Sequence, residues 1–146
     1  MDTKFSVAVH VLILISESPN PLNSDQMAGS VGTNASYIRK ILALLKKGEI
    51  VDGHRGISGY SLTVAPEQLT LLQIYQVVME KSNIHLLDIH QNPSDQCIVG
   101  RHIRPALTET FTDIEDVFAR SLAGKTIADC IADIRNRINT TRSEKI

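Results

Sequence analysis

Four polar side chains cluster near the start of one helix-forming segment: Ser36, Tyr37, Arg39 and Lys40. A serine hydroxyl bonds flexibly to base edges, arginine can bond guanine through two N–H groups, and lysine can bind guanine or a phosphate. The tyrosine hydroxyl can donate to a phosphate while its ring packs on a neighbouring helix. The set is suited to contacting the major groove of DNA.

A basic, glycine-rich segment follows at residues 53–59 (GHRGISG). Short strand candidates at Ile50-Val51 and at residues 60–64 flank it, so it forms the tip of a hairpin. Three glycines keep this tip slim, and an arginine on a slim tip can enter a narrow, A·T-rich minor groove. Arg55 is therefore the predicted minor-groove contact, with His54, Gly56 and Ser58 beside it.

Two short helices position these side chains. Asn23 and Gln26 form a capping-box pattern before a helix over residues 24–31, and Gly32 permits the left-handed backbone that ends it. Asn34 caps the next helix, at a terminus where backbone N–H groups favour a phosphate. The predicted buried face of that second helix is made by Ile38, Ile41, Leu42 and Leu45.

For residues 4–16, the hydrophobic pattern alone does not distinguish a helix from a strand. The length of the segment favours a buried helix. Thr70 caps a helix predicted over residues 71–81, and a connector follows. A long helix is predicted over residues 98–122, which Pro105 either bends or truly begins. Its apolar stripe, typical of paired helices, comprises Ile103, Leu107, Phe111, Ile114, Phe118 and Leu122.

The last helix is predicted over residues 127–138, capped by Thr126 with Asp129, and the tail after it is expected to fray. The fold class is therefore mainly α with a small β-hairpin wing: a winged helix-turn-helix plus a long C-terminal dimerisation helix. We divide the chain into a DNA-binding domain (1–81), a connector (82–97) and a dimerisation part with the C-terminal helix (98–146).

Charge is unevenly distributed in this 146-residue chain of formal net charge −1. Residues 34–60 carry a formal charge of +3, which favours phosphate contact at one face.

The apolar run Phe5–Ile15 is too short to span a bilayer and lacks signal-peptide flanks, so we expect a cytoplasmic protein and no membrane partner. Phosphate loops, nucleophile elbows and metal-ligand motifs are absent from the sequence, which argues against an enzyme.

The sequence resembles the Rrf2 family of bacterial transcriptional regulators. The resemblance rests on NASYIRKILALLKKGEIV and HRGISGYSL, and it extends to Asn23, PEQLTLLQI and CIVGRHIRPALTETF, about 120 of the 146 residues. Ser58 stands where the family's wing usually has the first of two glycines. Glutamate is common in the family where this chain has Arg39, so an operator sequence cannot be transferred.

The resemblance implies a homodimer that binds a palindromic operator in double-stranded DNA and acts as a repressor. It places Ser36, Tyr37, Arg39 and Lys40 on the recognition helix and Arg55 on the wing. It also places Thr3 and Lys4 near an end of the first helix that contacts phosphate. The long helix would supply the dimer interface.

Several Rrf2 members hold an iron–sulfur cluster through three closely spaced cysteines in the connector. This chain has two cysteines, Cys97 in the connector and Cys130 33 residues further on. One thiolate cannot replace three, so we expect no cofactor and no metal.

Cys97 is instead a candidate redox sensor. A helix N-terminus and the nearby Arg101 and His102 would lower its pKa and raise the thiolate fraction, while an inert, half-buried thiol is the competing interpretation. A second alternative is a regulator whose DNA affinity is set by a protein partner or a small ligand, without any thiol role.

Overall fold

The computed structural model describes residues 2–54 and 59–144, except for the side chains of residues 54, 143 and 144. Arg55, Gly56 and Ser58 therefore lie outside the described residues. The predicted fold class, mainly α with a hairpin wing, is confirmed. The elements are α1 (Lys4–Glu17), α2 (Ser24–Val31), α3 (Ala35–Lys47), β1 (Val51–His54), β2 (Gly59–Leu62), α4 (Leu71–Val78), α5 (Ile98–Ala123) and α6 (Ile127–Glu144).

The helix-turn-helix is α2 and α3. The Gln26 amide donates to Asn23 Oδ1 at 2.8 Å, and the Asn23 amide donates back to Gln26 Oε1 at 2.9 Å. Gly32 ends α2 with a φ of 86°, in the left-handed region that glycine adopts without strain. Asn34 then caps α3 by accepting the Tyr37 amide at 2.8 Å. The predicted capping residues Asn23, Gly32 and Asn34 therefore define the ends of the two helices and the turn between them.

One aliphatic core holds α1 to α4 together. The predicted inner face of α3 lies in it, and each of its four residues is at most 1% exposed. Val7, Ala8, Val11 and Leu12 bury one side of α1, which settles this segment as a helix. Ile127 and Ile131 bring the first turns of α6 into the same core, beside α1.

Two helix predictions need correction. Helix α4 ends at Val78 rather than at residue 81, because Glu80 has a φ of 55° and interrupts the helical backbone. The predicted frayed tail is wrong as far as residue 144, since α6 continues to Glu144. The long helix predicted from residue 98 is confirmed as Ile98–Ala123. Pro105 lies inside it, so the alternative in which this proline marks the start of the helix is excluded.

The two strands pair antiparallel, with Val51 opposite Leu62 and His54 opposite Gly59. The strand ends differ from the predicted segments by one to three residues, the largest difference being at the end of β1, which continues to His54. Gly59 has a φ of 77°, and a Cβ there would lie 2.5 Å from Pro21 Cβ. Glycine at this position therefore lets the base of the wing pack directly on the loop between α1 and α2.

Helix α5 lies outside the core. It contacts α4, yet none of its 26 residues is buried. Its C-terminal end is anchored by backbone bonds: the Leu71 amide donates to the Lys125 carbonyl, and the Ile127 amide donates to the Leu69 carbonyl, both at 2.9 Å. Within residues 2–54 and 59–144, none of the helices is long and apolar enough to cross a membrane.

Candidate nucleic-acid interface

The N-terminal half of α3 presents a polar face away from the core. Ser36, Arg39 and Lys40 are all exposed, and their spacing of three and four residues places them on one side of the helix. Tyr37 is half-buried and packs against the core, so its ring anchors the helix. The structure thus brings three of the four predicted side chains together on one exposed face. The fourth, Tyr37, contributes partly to packing.

Ala43 extends this exposed face by one more turn, four residues after Arg39. Its small side chain would let the helix backbone approach a groove closely. Ala43 is not among the predicted contacts, although its spacing of seven residues from Ser36 indicates the same face of the helix.

The start of α3 has the properties of an anion site. Asn34 is exposed, and its side chain satisfies the Tyr37 amide. The amides of Ala35 and Ser36 have no acceptor within the helix, as in the first turn of any α-helix, and this turn contains no acidic residue. Unpaired N–H groups and the helix dipole together favour a phosphate here.

The start of α1 belongs to a separate element. Thr3 is its N-cap residue, and the side chain makes no capping hydrogen bond. The Lys4 amide is already bonded to the Asp2 carboxylate at 2.8 Å. The Thr3 hydroxyl is therefore not used in capping, whereas Asp2 adds a negative charge beside the two predicted contacts.

Lys46 joins the wing to α3. Its Nζ donates to the Gly53 carbonyl at 2.9 Å, joining the last turn of α3 to β1. The Thr63 hydroxyl also donates to the Glu49 carbonyl at the foot of the hairpin. The wing base is therefore held from α3. The backbone of His54 continues this hairpin, opposite Gly59.

The two cysteines have opposite electrostatic environments. Cys97 is exposed at the N-cap of α5, where the backbone N–H groups of Gly100 and then Val99 lower the pKa of its thiol. Cys130 lies in α6, and burial, followed by the charges of Asp129 and Asp133, raises the pKa of its thiol. Cys97 is therefore the thiol with the greater thiolate fraction. The cause is the predicted helix N-terminus, whereas the predicted cations Arg101 and His102 are not among the causes.

Comparison with known proteins identifies the family. Residues 1–133 match the Rrf2 family model, which is described as "Iron-dependent Transcriptional regulator". The chain belongs to the Rrf2 family. An HTH-type transcriptional regulator by name, YwnA of Bacillus subtilis (strain 168), is 35% identical over 129 residues, 88% of this chain and 95% of that protein.

Solved structures agree with this membership of the Rrf2 family. One, named as a transcriptional regulator from Lactobacillus plantarum, is 27% identical, covers 99% of this chain and 98% of its own, and superposes with a TM-score of 0.74. CymR, the global cysteine regulator of B. subtilis, shares the fold: it is 20% identical, with 90% and 95% coverage and a TM-score of 0.66. The Rrf2 relatives are transcriptional regulators, not enzymes.

The iron in the Rrf2 family description does not match the residues of this chain. Its two cysteines lie in different elements, one at the N-cap of α5 and one in α6. Among the residues that the structure describes, no group of three His, Cys, Asp or Glu side chains is placed to hold a metal ion. The donor set therefore does not fit an iron–sulfur cluster.

Proposed function

We propose that this Rrf2 protein is a homodimeric repressor that binds a palindromic operator without an iron–sulfur cluster, in the cytoplasm. The observation that carries the proposal is the exposed face of α3, where Ser36, Arg39 and Lys40 lie at the capped end of the second helix of a helix-turn-helix. This is the end of the helix that contacts base edges in such motifs. Repression follows if the bound dimer blocks access of RNA polymerase to a promoter.

The other contacts distribute around this helix. The α3 N-terminus at Asn34 would bind one phosphate, and Thr3 with Lys4 another. Arg55, supported by His54, Gly56 and Ser58, would enter the minor groove. Phosphate contacts set the position of the protein on the duplex, while base contacts select the sequence.

The dimer interface would be formed by α5. Its apolar side chains remain largely uncovered in the single chain: Ile114 is 49% exposed, Val117 58% and Phe118 37%. Ile103, Leu107, Phe111 and Leu122 continue the stripe as half-buried side chains. A second α5 related by a two-fold axis would cover this surface, and a two-fold symmetric protein matches a palindromic site.

DNA binding can be tested with a labelled duplex that contains the region upstream of this gene. Fluorescence anisotropy over a salt series should show a steep loss of affinity, because binding releases counterions from phosphates. Arg39→Ala should weaken binding by about 1–3 kcal/mol if it contacts a base, and Lys40→Ala should reduce the salt slope by about 1 if it contacts a phosphate. Lys125→Ala, an exposed lysine remote in sequence from α3, is the control. Salt-independent affinity, or two variants that behave like the control, would contradict the proposal.

Cys97 is the proposed redox sensor. Its thiolate would attack hydrogen peroxide, forming an S–O bond as the O–O bond breaks and hydroxide leaves, so that the sulfur is oxidised to sulfenic acid. Cys97→Ser should abolish a peroxide-dependent change in DNA affinity, while Cys130→Ser should retain it. An equal response in wild type and Cys97→Ser would instead favour control by a protein partner or a small ligand.

A further inference from the structure

A polar cavity of about 700 Å³ separates the connector from α5. One wall is a single face of α5 that carries Arg104, Thr108, Thr112 and Glu115, at spacings of four, four and three residues. The other wall is the connector, which contributes His85 and Asp88 among others. This face of α5 is polar, so it differs from the apolar stripe proposed for the dimer.

Both ends of the cavity are held by hydrogen bonds. At one end the Glu115 carboxylate, whose side chain is only 12% exposed, accepts the Leu86 and Leu87 amides. At the other end Arg104 Nη2 donates to the His90 carbonyl at 3.1 Å and to the Gln91 carbonyl at 2.9 Å. The connector is thus fixed at two points with the cavity between them, which makes this opening part of the tertiary structure.

Charges of opposite sign occupy the two ends. Arg104 supplies a cation at one end. Glu115 and Asp88 supply anions at the other, bridged by His85, whose Nε2 lies 2.6 Å from Asp88 Oδ1 and whose Nδ1 lies 3.8 Å from Glu115 Oε2. Between the ends, the Thr108 and Thr112 hydroxyls make no hydrogen bond to any of the residues that the structure describes.

The spacing of these charges limits the ligand. Arg104 and Glu115 are eleven residues apart, about 16 Å along the helix axis. A single amino acid carries its ammonium and carboxylate on one carbon atom, so it cannot approach both ends. An extended tripeptide spans about 10 Å. The side chains of Arg104 and Glu115 extend into the cavity from the two ends, so the distance left between their charged groups is shorter than the axial separation and fits a ligand of this length.

We propose that this cavity binds a short peptide of about three residues, carboxylate towards Arg104 and ammonium towards Asp88 and Glu115, as the effector of the regulator. The central threonine hydroxyls would bond to the peptide groups, and Leu87 and Ile89 offer apolar surface to its side chains. The ligand would contact the connector shortly before Cys97, where it joins the winged helix to the dimer helix. The effector role rests on the proposed DNA-binding function, whereas the binding site itself does not.

Binding is tested on the full chain by NMR, using an equimolar library of free tripeptides. Amides of residues 85–91 and 104–115 should shift, with the apparent affinity at least tenfold weaker for the same library acetylated at the N-terminus or amidated at the C-terminus. A mixture of the twenty free amino acids should be equally weak. No shifts with the free tripeptides, or equal shifts with the blocked ones, would overturn the proposal.

Two variants separate recognition from folding. Thr112→Val removes a hydroxyl without touching either connector bond and should weaken tripeptide binding severalfold, while Arg101→Gln, an exposed arginine on the same helix, should leave binding unchanged. An unchanged affinity in Thr112→Val would contradict the assigned contact. Anisotropy with operator DNA then tests the effector role separately: shifts without a change in DNA affinity would keep the site and remove the role.

Discussion

Lys46 lies beyond the exposed polar face in the N-terminal half of α3, yet it holds the hairpin wing beside this helix. Its bond to the Gly53 carbonyl sets the position of the hairpin relative to α3. If the recognition helix enters the major groove, the wing must reach the adjacent minor groove at a fixed distance. A lysine that fixes this distance contributes to DNA affinity through geometry.

Lys46→Met keeps most of the aliphatic chain and removes the hydrogen bond. We expect operator affinity to fall severalfold, because the wing loses its defined position, with the free energy of unfolding changed by less than about 1 kcal/mol for an exposed bond. Anisotropy and urea denaturation measure the two quantities. Lys47→Met removes the same charge from the neighbouring exposed position and serves as the control. Equal losses of affinity in both variants would mean that charge alone is responsible.

The exposure of Ser36, Arg39 and Lys40 on α3 could be predicted from the sequence because this helix is strongly amphipathic. Once Ile38, Ile41, Leu42 and Leu45 are assigned to the core, helical geometry leaves these three for the opposite face. Lys46 could be assigned only to the helix dipole, since its real partner lies in another element. That contact depends on how α3 and the hairpin pack, and no local pattern in the sequence contains this information.

Close packing between α3 and α4 explains why residue 48 is a glycine. This residue ends α3 with a φ of −82°, so the left-handed conformation is not the reason for glycine there. A Cβ at Gly48 would lie 2.5 Å from Val77 Cγ1 in α4. The absence of a side chain lets α3 and α4 approach each other, which the sequence alone could not distinguish from an ordinary helix end.

Gly48→Ala should therefore destabilise the protein by about 1–3 kcal/mol through overpacking. Urea denaturation of the single and double variants tests the cause, because Val77→Ala removes the clashing methyl groups and should recover part of that loss in a double-mutant cycle. Gly29→Ala is the matched control: nothing lies within 4 Å of a Cβ there, and alanine favours the helix. A Gly48→Ala protein as stable as wild type would contradict the packing argument.

Glu115 makes the connector sensitive to pH. Its pKa lies below the ordinary value, chiefly because the Leu86 amide stabilises the carboxylate, although burial acts in the opposite direction and Leu87 adds a second bond. A lowered pKa in the folded state stabilises the fold above the unfolded-state pKa of about 4.3. This stabilisation is lost as the pH falls through the folded-state pKa.

Wild type should accordingly be more stable than Glu115→Gln at pH 6, and the difference should shrink as the pH falls below about 4. Denaturation curves for both proteins from pH 3 to 7 measure it. Glu109→Gln, an exposed glutamate on the same helix, controls for the loss of charge. A difference that stayed constant over this range would show that ionisation of Glu115 contributes nothing.

At the scale of the whole molecule, α5 is the helix whose apolar side chains a single chain leaves uncovered. Periodicity predicted its apolar stripe, but could not say which members meet the chain's own core. Phe118 faces α4, since its ring lies 6.2 Å from that of Tyr75 in an edge-to-face arrangement. Ile98 and Val99, 68% and 65% exposed, were not included in the stripe. How exposed these two side chains are depends on where the connector ends and α5 begins.

Val117→Glu tests the dimer. This valine is largely exposed, so the isolated fold should tolerate the charge, while a charge buried between two α5 helices is strongly unfavourable. Sedimentation should show a monomer, and operator affinity should fall at least tenfold because two half-sites no longer act together. Ala123→Glu introduces the same charge about 120° around the same helix as a control. A dimeric Val117→Glu protein would contradict the proposed interface.

The paired backbone bonds between residues 69–71 and 125–127 have a mechanical consequence. They clamp the C-terminal end of α5 to the winged-helix core, while Cys97 lies at the opposite end of this 26-residue helix, about 39 Å away. A rotation of about 5° about the clamp would move that far end by roughly 3 Å. If Cys97 is the proposed sensor, its modification would act at the end of the helix furthest from the clamp, where a small force would exert the largest torque on the winged-helix core.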